Sequence, residues 1–172
     1  MNKKPALIFL TLTSIFGLTF AYISQYAFGH EPCILCLYQR KPFFGIIAAT
    51  LLCFAFFKSE KSRKITFFLC IALLAINCAI AFYHIGVEQK IFAGPTTCSS
   101  DSLNEITDLA ALEAAFAKTK AVRCDQPTFF LLGLSMAVWN FIFCLGLIIF
   151  SARSLWFFQV WQGFCKRHSN NR

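Results

Sequence analysis

Charge is what this chain has least of. Asp, Glu, Lys and Arg make up 14% of its 172 residues, where an ordinary soluble domain carries about a quarter. That shortage argues against a freestanding soluble domain. No internal repeat and no low-complexity tract is found, and the length suits one domain rather than two. Metal-ligand spacing is also missing. Cys98 and Cys124 stand singly, with no second Cys or His two to four residues away. A structural zinc site wants paired ligands, so no metal is expected. His84 offers one further ligand type, but the spacing does not require it.

What is abundant is apolar. Hydrophobic residues reach 58%, including 22 Phe, and they cluster. Four runs stand out, 5–28, 42–57, 65–83 and 128–150. A hydrocarbon core of about 30 Å takes about 20 helical residues. The first, third and fourth runs suffice. The second has only 16 residues and is followed by Lys58-Ser-Glu-Lys-Ser-Arg-Lys64. It must borrow upstream, from Leu35 to Lys41, which places Cys36 and Arg40 at the membrane–water boundary. The first run follows Lys3 and Lys4 as a signal peptide would. Its apolar stretch exceeds the usual 7–15 residues, and three later spans need a partner, so it reads as a span.

The formal charge of +8 is a topology signal. Lys3 and Lys4, the loop with Lys58, Lys61, Arg63 and Lys64, and the tail with Arg153, Lys166, Arg167 and Arg172 fall on one side of four spans, the cytoplasmic one. The opposite segment, 84–127, holds six acids and four bases. A nucleic-acid surface is therefore not expected. In a bacterial inner membrane that segment faces the periplasm, where cysteines can pair. Within it, Ser102-Leu-Asn-Glu105 reads as a capping box. Ile106, Leu109, Ala110, Leu112, Ala115 and Phe116 then recur at helical spacing. A short amphipathic helix over Leu103–Ala117 is expected, lying on the bilayer or on the span ends. Gly94-Pro95 reads as a turn.

Nine cysteines sort by this topology. Cys53, Cys70, Cys78 and Cys144 lie deep in spans and read as small hydrophobes. Cys165 falls in the basic tail. Cys33, Cys36, Cys98 and Cys124 remain outside. A Cys33–Cys36 bridge closes a tiny loop worth only about 2 kcal/mol in chain entropy, against about 3.5 for Cys98–Cys124. Stability thus explains the short pair poorly. Redox chemistry explains it better: a Cys-x-x-Cys near a helix start can hold a thiolate at lowered pKa. Arg40 adds a permanent positive charge, four residues after Cys36 on the same helical face. Pro42 interrupts that helix chemically, so a kink or loosened turn is expected.

The motif Cys33-Ile-Leu-Cys36-Leu-Tyr-Gln-Arg40, followed by Thr97-Cys98, Arg123-Cys124 and the stretch Phe130-Leu-Leu-Gly-Leu-Ser-Met-Ala-Val-Trp139, resembles the DsbB family of inner-membrane disulfide-generating proteins. The resemblance covers nearly the whole chain. It implies an all-α, four-transmembrane-helix bundle forming a single domain, 1–172. Its spans lie near 6–28, 37–57, 65–84 and 128–150, with periplasmic loops near 29–36 and 85–127 and both termini cytoplasmic. It implies a protein-disulfide oxidoreductase that oxidises a DsbA-like thioredoxin-fold carrier and passes electrons to membrane ubiquinone or menaquinone. By position, Cys98 and Cys124 form the disulfide the partner attacks, Cys98 becoming the mixed-disulfide partner. Cys33 and Cys36 re-oxidise that pair, and Cys36, beside Arg40, faces the quinone. His84 resembles a family position near quinone. Glu88 reads as solvated, Trp139 as packing, and Phe129 fills an aromatic position of the family.

Three other readings remain open at this point. One is a DsbI-like oxidase with a dedicated partner. Another is a vitamin-K-epoxide-reductase type of quinone reductase, which usually carries its motif near a later span. The last is a non-catalytic membrane subunit with structural disulfides, which predicts unreactive outer cysteines.

Overall fold

The computed structural model describes residues 3–57, 59–95, 124 and 130–169, with side chains up to Arg153. The amphipathic segment at 103–117, Cys98 and Phe129 lie outside the described residues.

Among the described residues four long helices dominate: α1 (Lys4–Tyr26), α2 (Ile34–Phe56), α3 (Glu60–Glu88) and α4 (Met136–Ser169). Local chemistry sets their ends. Pro5 occupies the first turn of α1, where its missing N–H costs nothing. Gly29 takes a φ of 69°, a conformation glycine adopts without strain, in the connection to α2. Cys33 is the N-cap of α2: its sulfur accepts from the Cys36 N–H at 3.4 Å. Ser59 caps α3 by accepting from the Lys61 N–H. Pro42 lies buried inside α2, which runs on without a break as a single helix.

The fourth span starts later than its apolar run suggests. Helix was expected from Thr128, but Phe130–Leu131 (β1) and Leu134–Ser135 (β2) pair as a small antiparallel hairpin. Its two turn residues, Leu132 and Gly133, have φ of 54° and 79°. Two positive φ angles in a two-residue loop match the twist of a hairpin and are incompatible with helix. Ser135 then accepts from the Val138 N–H and opens α4.

The helices run up and down. α1 packs on α2, α2 on α3, and α3 on α4. Three of them, Lys4–Tyr26, Glu60–Glu88 and the Met136–Arg153 part of α4, are long and apolar enough to cross a bilayer. Burial is inverted relative to a soluble bundle. Leu12, Phe16, Leu51, Phe56, Phe68 and Phe82 are exposed, while Ser14, Gln39, Thr50, Asn77 and His84 are buried. Lipid solvates the first group, and only protein can satisfy the second. The hydroxyls of Ser14 and Thr50 return to the carbonyls of Leu10 and Ile46 at 2.7 and 2.8 Å. With its apolar helices, this marks a multi-pass membrane protein.

Two apolar clusters form. The larger joins Leu7, Leu10 and Leu18 to Phe43, Ile46, Phe67, Leu74 and Leu147, and includes Cys70 and Cys144. The smaller sits at the end where α2 begins and α3 finishes, and consists of Cys33, Leu35, Val87 and Cys124.

After Glu88 the chain reverses at Gln89–Phe92, earlier than the Gly94-Pro95 turn anticipated above. Lys90 adopts φ 59°, and the N–H groups of Ile91 and Phe92 both donate to the Gly86 carbonyl. The Phe92 ring lies on Gly86 so closely that a Cβ there would meet it at 2.1 Å. It also stacks on Tyr83, whose hydroxyl donates to the Ala93 carbonyl at 2.6 Å.

Candidate thiol–disulfide site

Cys33, Cys36, His84 and Cys124 converge at the smaller cluster. Cys33 Sγ lies 3.2 Å from Cys36 Sγ and 3.5 Å from His84 Nε2. Cys124 is buried, and its thiol shares a hydrogen bond with Cys33. The His84 ring also bonds to the Cys124 backbone. Three of the four cysteines singled out in the sequence are thus brought together across more than ninety residues of chain; Cys98 lies outside the described residues.

The two members of the Cys-x-x-Cys differ electrostatically. The Cys33 thiol donates to Cys36, and the Cys36 N–H donates back to Cys33. Cys36 therefore has a lowered pKa, because the thiol donated by Cys33 outweighs the penalty of burial. For Cys33 the contact with Cys124 pulls the pKa down, but its donation to Cys36 and its burial prevail and push it up to about 12. The pair is polarised, with Cys36 the more acidic of the two thiols.

A cavity of about 310 Å³ opens between α1, α2 and α4 beside this pair. Phe16, Phe20 and Phe43 give it apolar walls, and Cys36, Arg40 and Asn140 face it. Its size is at the lower end of small-molecule sites. Both α1 and α4 contribute to its lining, and they touch further along, where Phe9 and Phe150 rings lie 4.8 Å apart.

Arg40 is held on α1. Its guanidinium donates to Gln25 Oε1 at 2.7 Å and to the Ala21 carbonyl at 3.4 Å, and lies 4.9 Å over the Tyr22 ring. The lowered pKa of Cys36 comes from Cys33; Arg40 instead places a fixed cation in the cavity wall.

Other expectations are revised. Glu88, read as solvated, is half-buried, accepting from Ser135 Oγ at 2.5 Å with His84 Nε2 at 3.7 Å. Trp139 lines the cavity and anchors the hairpin by donating to the Leu131 carbonyl at 2.9 Å. Cys144, read as a plain hydrophobe, accepts from Asn77 Nδ2 at 3.3 Å. Sequence reasoning passed over Gln39, Asn77 and Asn140. Amides inside apolar spans are the signal that identifies them, since such groups are costly in lipid unless paired.

Cys33, Cys36 and His84 also present three ligand atoms within 4.8 Å of one another. Gln39 Nε2 lies 3.1 Å from His84 Nδ1 on the other side of the ring.

A polarised dithiol with a third thiol in contact, set in a helical membrane bundle, defines a membrane thiol–disulfide oxidoreductase. The model of the family "Disulfide bond formation protein DsbB" matches residues 3–153, and the chain belongs to that family. It is 31% identical over 141 residues to a Disulfide bond formation protein B of Pseudomonas syringae pv. tomato, covering 80% of each chain. An uncharacterized protein of Rickettsia prowazekii is 29% identical over 149 residues, covering 86% of this chain and 84% of that one. A Disulfide bond formation protein B of Pseudoalteromonas atlantica is 45% identical over 40 residues, 23% of each chain.

Proposed function

We propose that this protein oxidises the dithiol of a periplasmic, DsbA-like thioredoxin-fold carrier and delivers the electrons to membrane quinone. It does so in the bacterial inner membrane, with α2 as a fourth span and both termini cytoplasmic. The observation that carries this reading is the contact of Cys124 with Cys33 while Cys36, the more acidic thiol, faces an apolar cavity.

Oxidising a dithiol to a disulfide releases two electrons and two protons. The Cys98–Cys124 disulfide takes them first: a partner thiolate attacks Cys98, and Cys124 leaves. The Cys124 thiolate then attacks Cys33 of the Cys33–Cys36 disulfide. A Cys33–Cys124 bond forms, and Cys36 leaves as the thiolate its surroundings favour. Low pKa makes a good leaving group. The second partner thiol resolves the mixed disulfide at Cys98 and leaves as the partner's disulfide. Cys98 is then a thiolate, and its attack on Cys124 of the Cys33–Cys124 bond rebuilds Cys98–Cys124 and frees Cys33.

The donor set suits a quinone. Phenylalanine walls take an apolar ring, and Arg40 supplies a cation that cannot deprotonate. Bound there, quinone accepts two electrons and two protons. Cys36 presents its thiolate to that space, and Cys33 closes the disulfide behind it.

Purified protein in lipid should oxidise a reduced thioredoxin-fold partner only when quinone is supplied. In Cys36→Ser, quinone-coupled turnover should fall to background while partner-linked species accumulate. Full turnover of that variant defeats the proposed route. Trapping with Cys124→Ser and identifying the captured protein by mass spectrometry separates a general carrier from a dedicated one.

A further inference from the structure

Below the thiol site, four polar side chains form a hydrogen-bonded array inside the apolar bundle. Asn77 Nδ2 donates to Cys144 Sγ at 3.3 Å, and the Cys144 thiol donates to Asn140 Oδ1 at 3.6 Å. Asn140 Nδ2 donates back to Asn77 Oδ1 at 3.3 Å and also to Gln39 Oε1 at 3.0 Å. Gln39 Nε2 then meets His84 Nδ1 at 3.1 Å. Asn77, Gln39 and His84 are at most 6% exposed. No step of the proposed exchange uses this array.

The directions of these bonds are mutually dependent. A carboxamide has one donor end and one acceptor end. The Asn140 amino group faces two acceptors, Asn77 Oδ1 and Gln39 Oε1, and its oxygen takes the Cys144 thiol. Turning Gln39 over would set its amino group against the amino group of Asn140. Asn140 and Asn77 would have to turn with it, which would put the ring proton on Nδ1 and leave Nε2 bare against the Glu88 carboxylate; with the acceptors at Nε2 fixing the direction, Gln39 offers its amino group to His84 and Nδ1 is the bare nitrogen. The proton goes to Nε2, which faces Cys33 Sγ at 3.5 Å and Glu88 Oε1 at 3.7 Å. Both are acceptors, so the two faces of the ring agree.

We infer that Gln39, Asn140, Asn77 and Cys144 are positioning residues that hold His84 as its Nε2–H tautomer and aim that N–H at the Cys33 sulfur. Cys33 is the atom at which Cys124 and Cys36 exchange in the reading above, and this part of the inference rests on it. A neutral N–H donor stabilises negative charge passing through that sulfur without having to lose a proton. The titratable groups facing the ring are Cys33 and Glu88, with Cys124 bonded to it through its backbone. The array also accounts for amides in a membrane interior, where an unmatched one is costly.

The test is nitrogen NMR of the full-length protein, 15N-labelled at histidine and held in lipid nanodiscs, with His84 assigned by His84→Gln. The wild type should show one tautomer, protonated at Nε2 and bare at Nδ1. Gln39→Glu keeps the shape but presents a carboxylate, which should move the proton to Nδ1 or charge the ring. Asn140→Leu frees the Gln39 amide and should give mixed tautomers and a severalfold slower Cys124–Cys33 exchange. Gln39→Met should slow it similarly. A wild-type ring protonated at Nδ1 overturns the inference, as does an unchanged ring in Gln39→Glu. The spectra need no turnover, so they stand apart from any failure of the quinone-coupled reading.

Discussion

At Cys36 the surroundings decide which end of the Cys-x-x-Cys is the more acidic. The sulfur accepts from the Cys33 thiol, so its pKa is lowered despite burial. A lowered pKa extends the thiolate to lower pH than an ordinary thiol allows, and the nucleophile is lost as pH falls through that value. The alkylation rate of Cys36 in the reduced protein, followed by peptide mass spectrometry, should therefore have its midpoint below the ordinary thiol value of about 8.5. Cys33→Ala removes the donor and should raise the midpoint, and Cys33→Ser should restore part of the shift. A midpoint in Cys33→Ala at or below wild type contradicts this account. The identities of Cys33, Cys36, Arg40 and Cys124 were legible in the sequence because each is a reactive or charged residue beside apolar runs. The partners of Arg40 were not. Gln25, Tyr22 and the Ala21 carbonyl lie near the C-terminal end of another helix, α1, and no spacing in the chain encodes that approach.

Helices are easier to read than the joints between them. The apolar runs located α1 and α3 to within a few residues, since hydrocarbon thickness sets a length. Thr128–Ser135 looked like more of the same run, and neither apolarity nor length separates a short hairpin from a helix start. The discriminating residues were Gly133, which accepts positive φ, and Ser135, which caps α4. Pro42 does not end its helix, since α2 runs on through it. The joint after α3 rests on Gly86. In Gly86→Ala the added methyl displaces Phe92 from a 2.1 Å approach, which should cost about 1–3 kcal/mol as overpacking does. Thermal unfolding in detergent should show the loss, and Gly86→Ala with Phe92→Ala should recover much of it. Equal loss in single and double variants excludes the contact as the cause.

Across the whole molecule, the architecture follows from reversing the usual assignment of solvent. Phenylalanines and leucines coat the outside, amides and hydroxyls occupy the inside, and the basic segments lie at the end away from the thiols. That much was written in the apolar runs and the Lys and Arg positions. The convergence of Cys33, His84 and Cys124 was not, because it depends on how α2, α3 and the residue before the hairpin meet in space. The cavity lined by α1 and α4 carries a further consequence. Phe16 and Phe20, both partly exposed, line a cavity lying between two helices whose outer faces meet acyl chains. On the function proposed above, the hydrophobic oxidant arrives by two-dimensional diffusion, and what governs occupancy is its mole fraction in the bilayer. Diluting proteoliposomes with buffer at constant lipid composition should leave the rate per protein unchanged. Adding lipid while total quinone is fixed and subsaturating should slow it in proportion. A rate that instead tracks bulk aqueous concentration points to access from the water side.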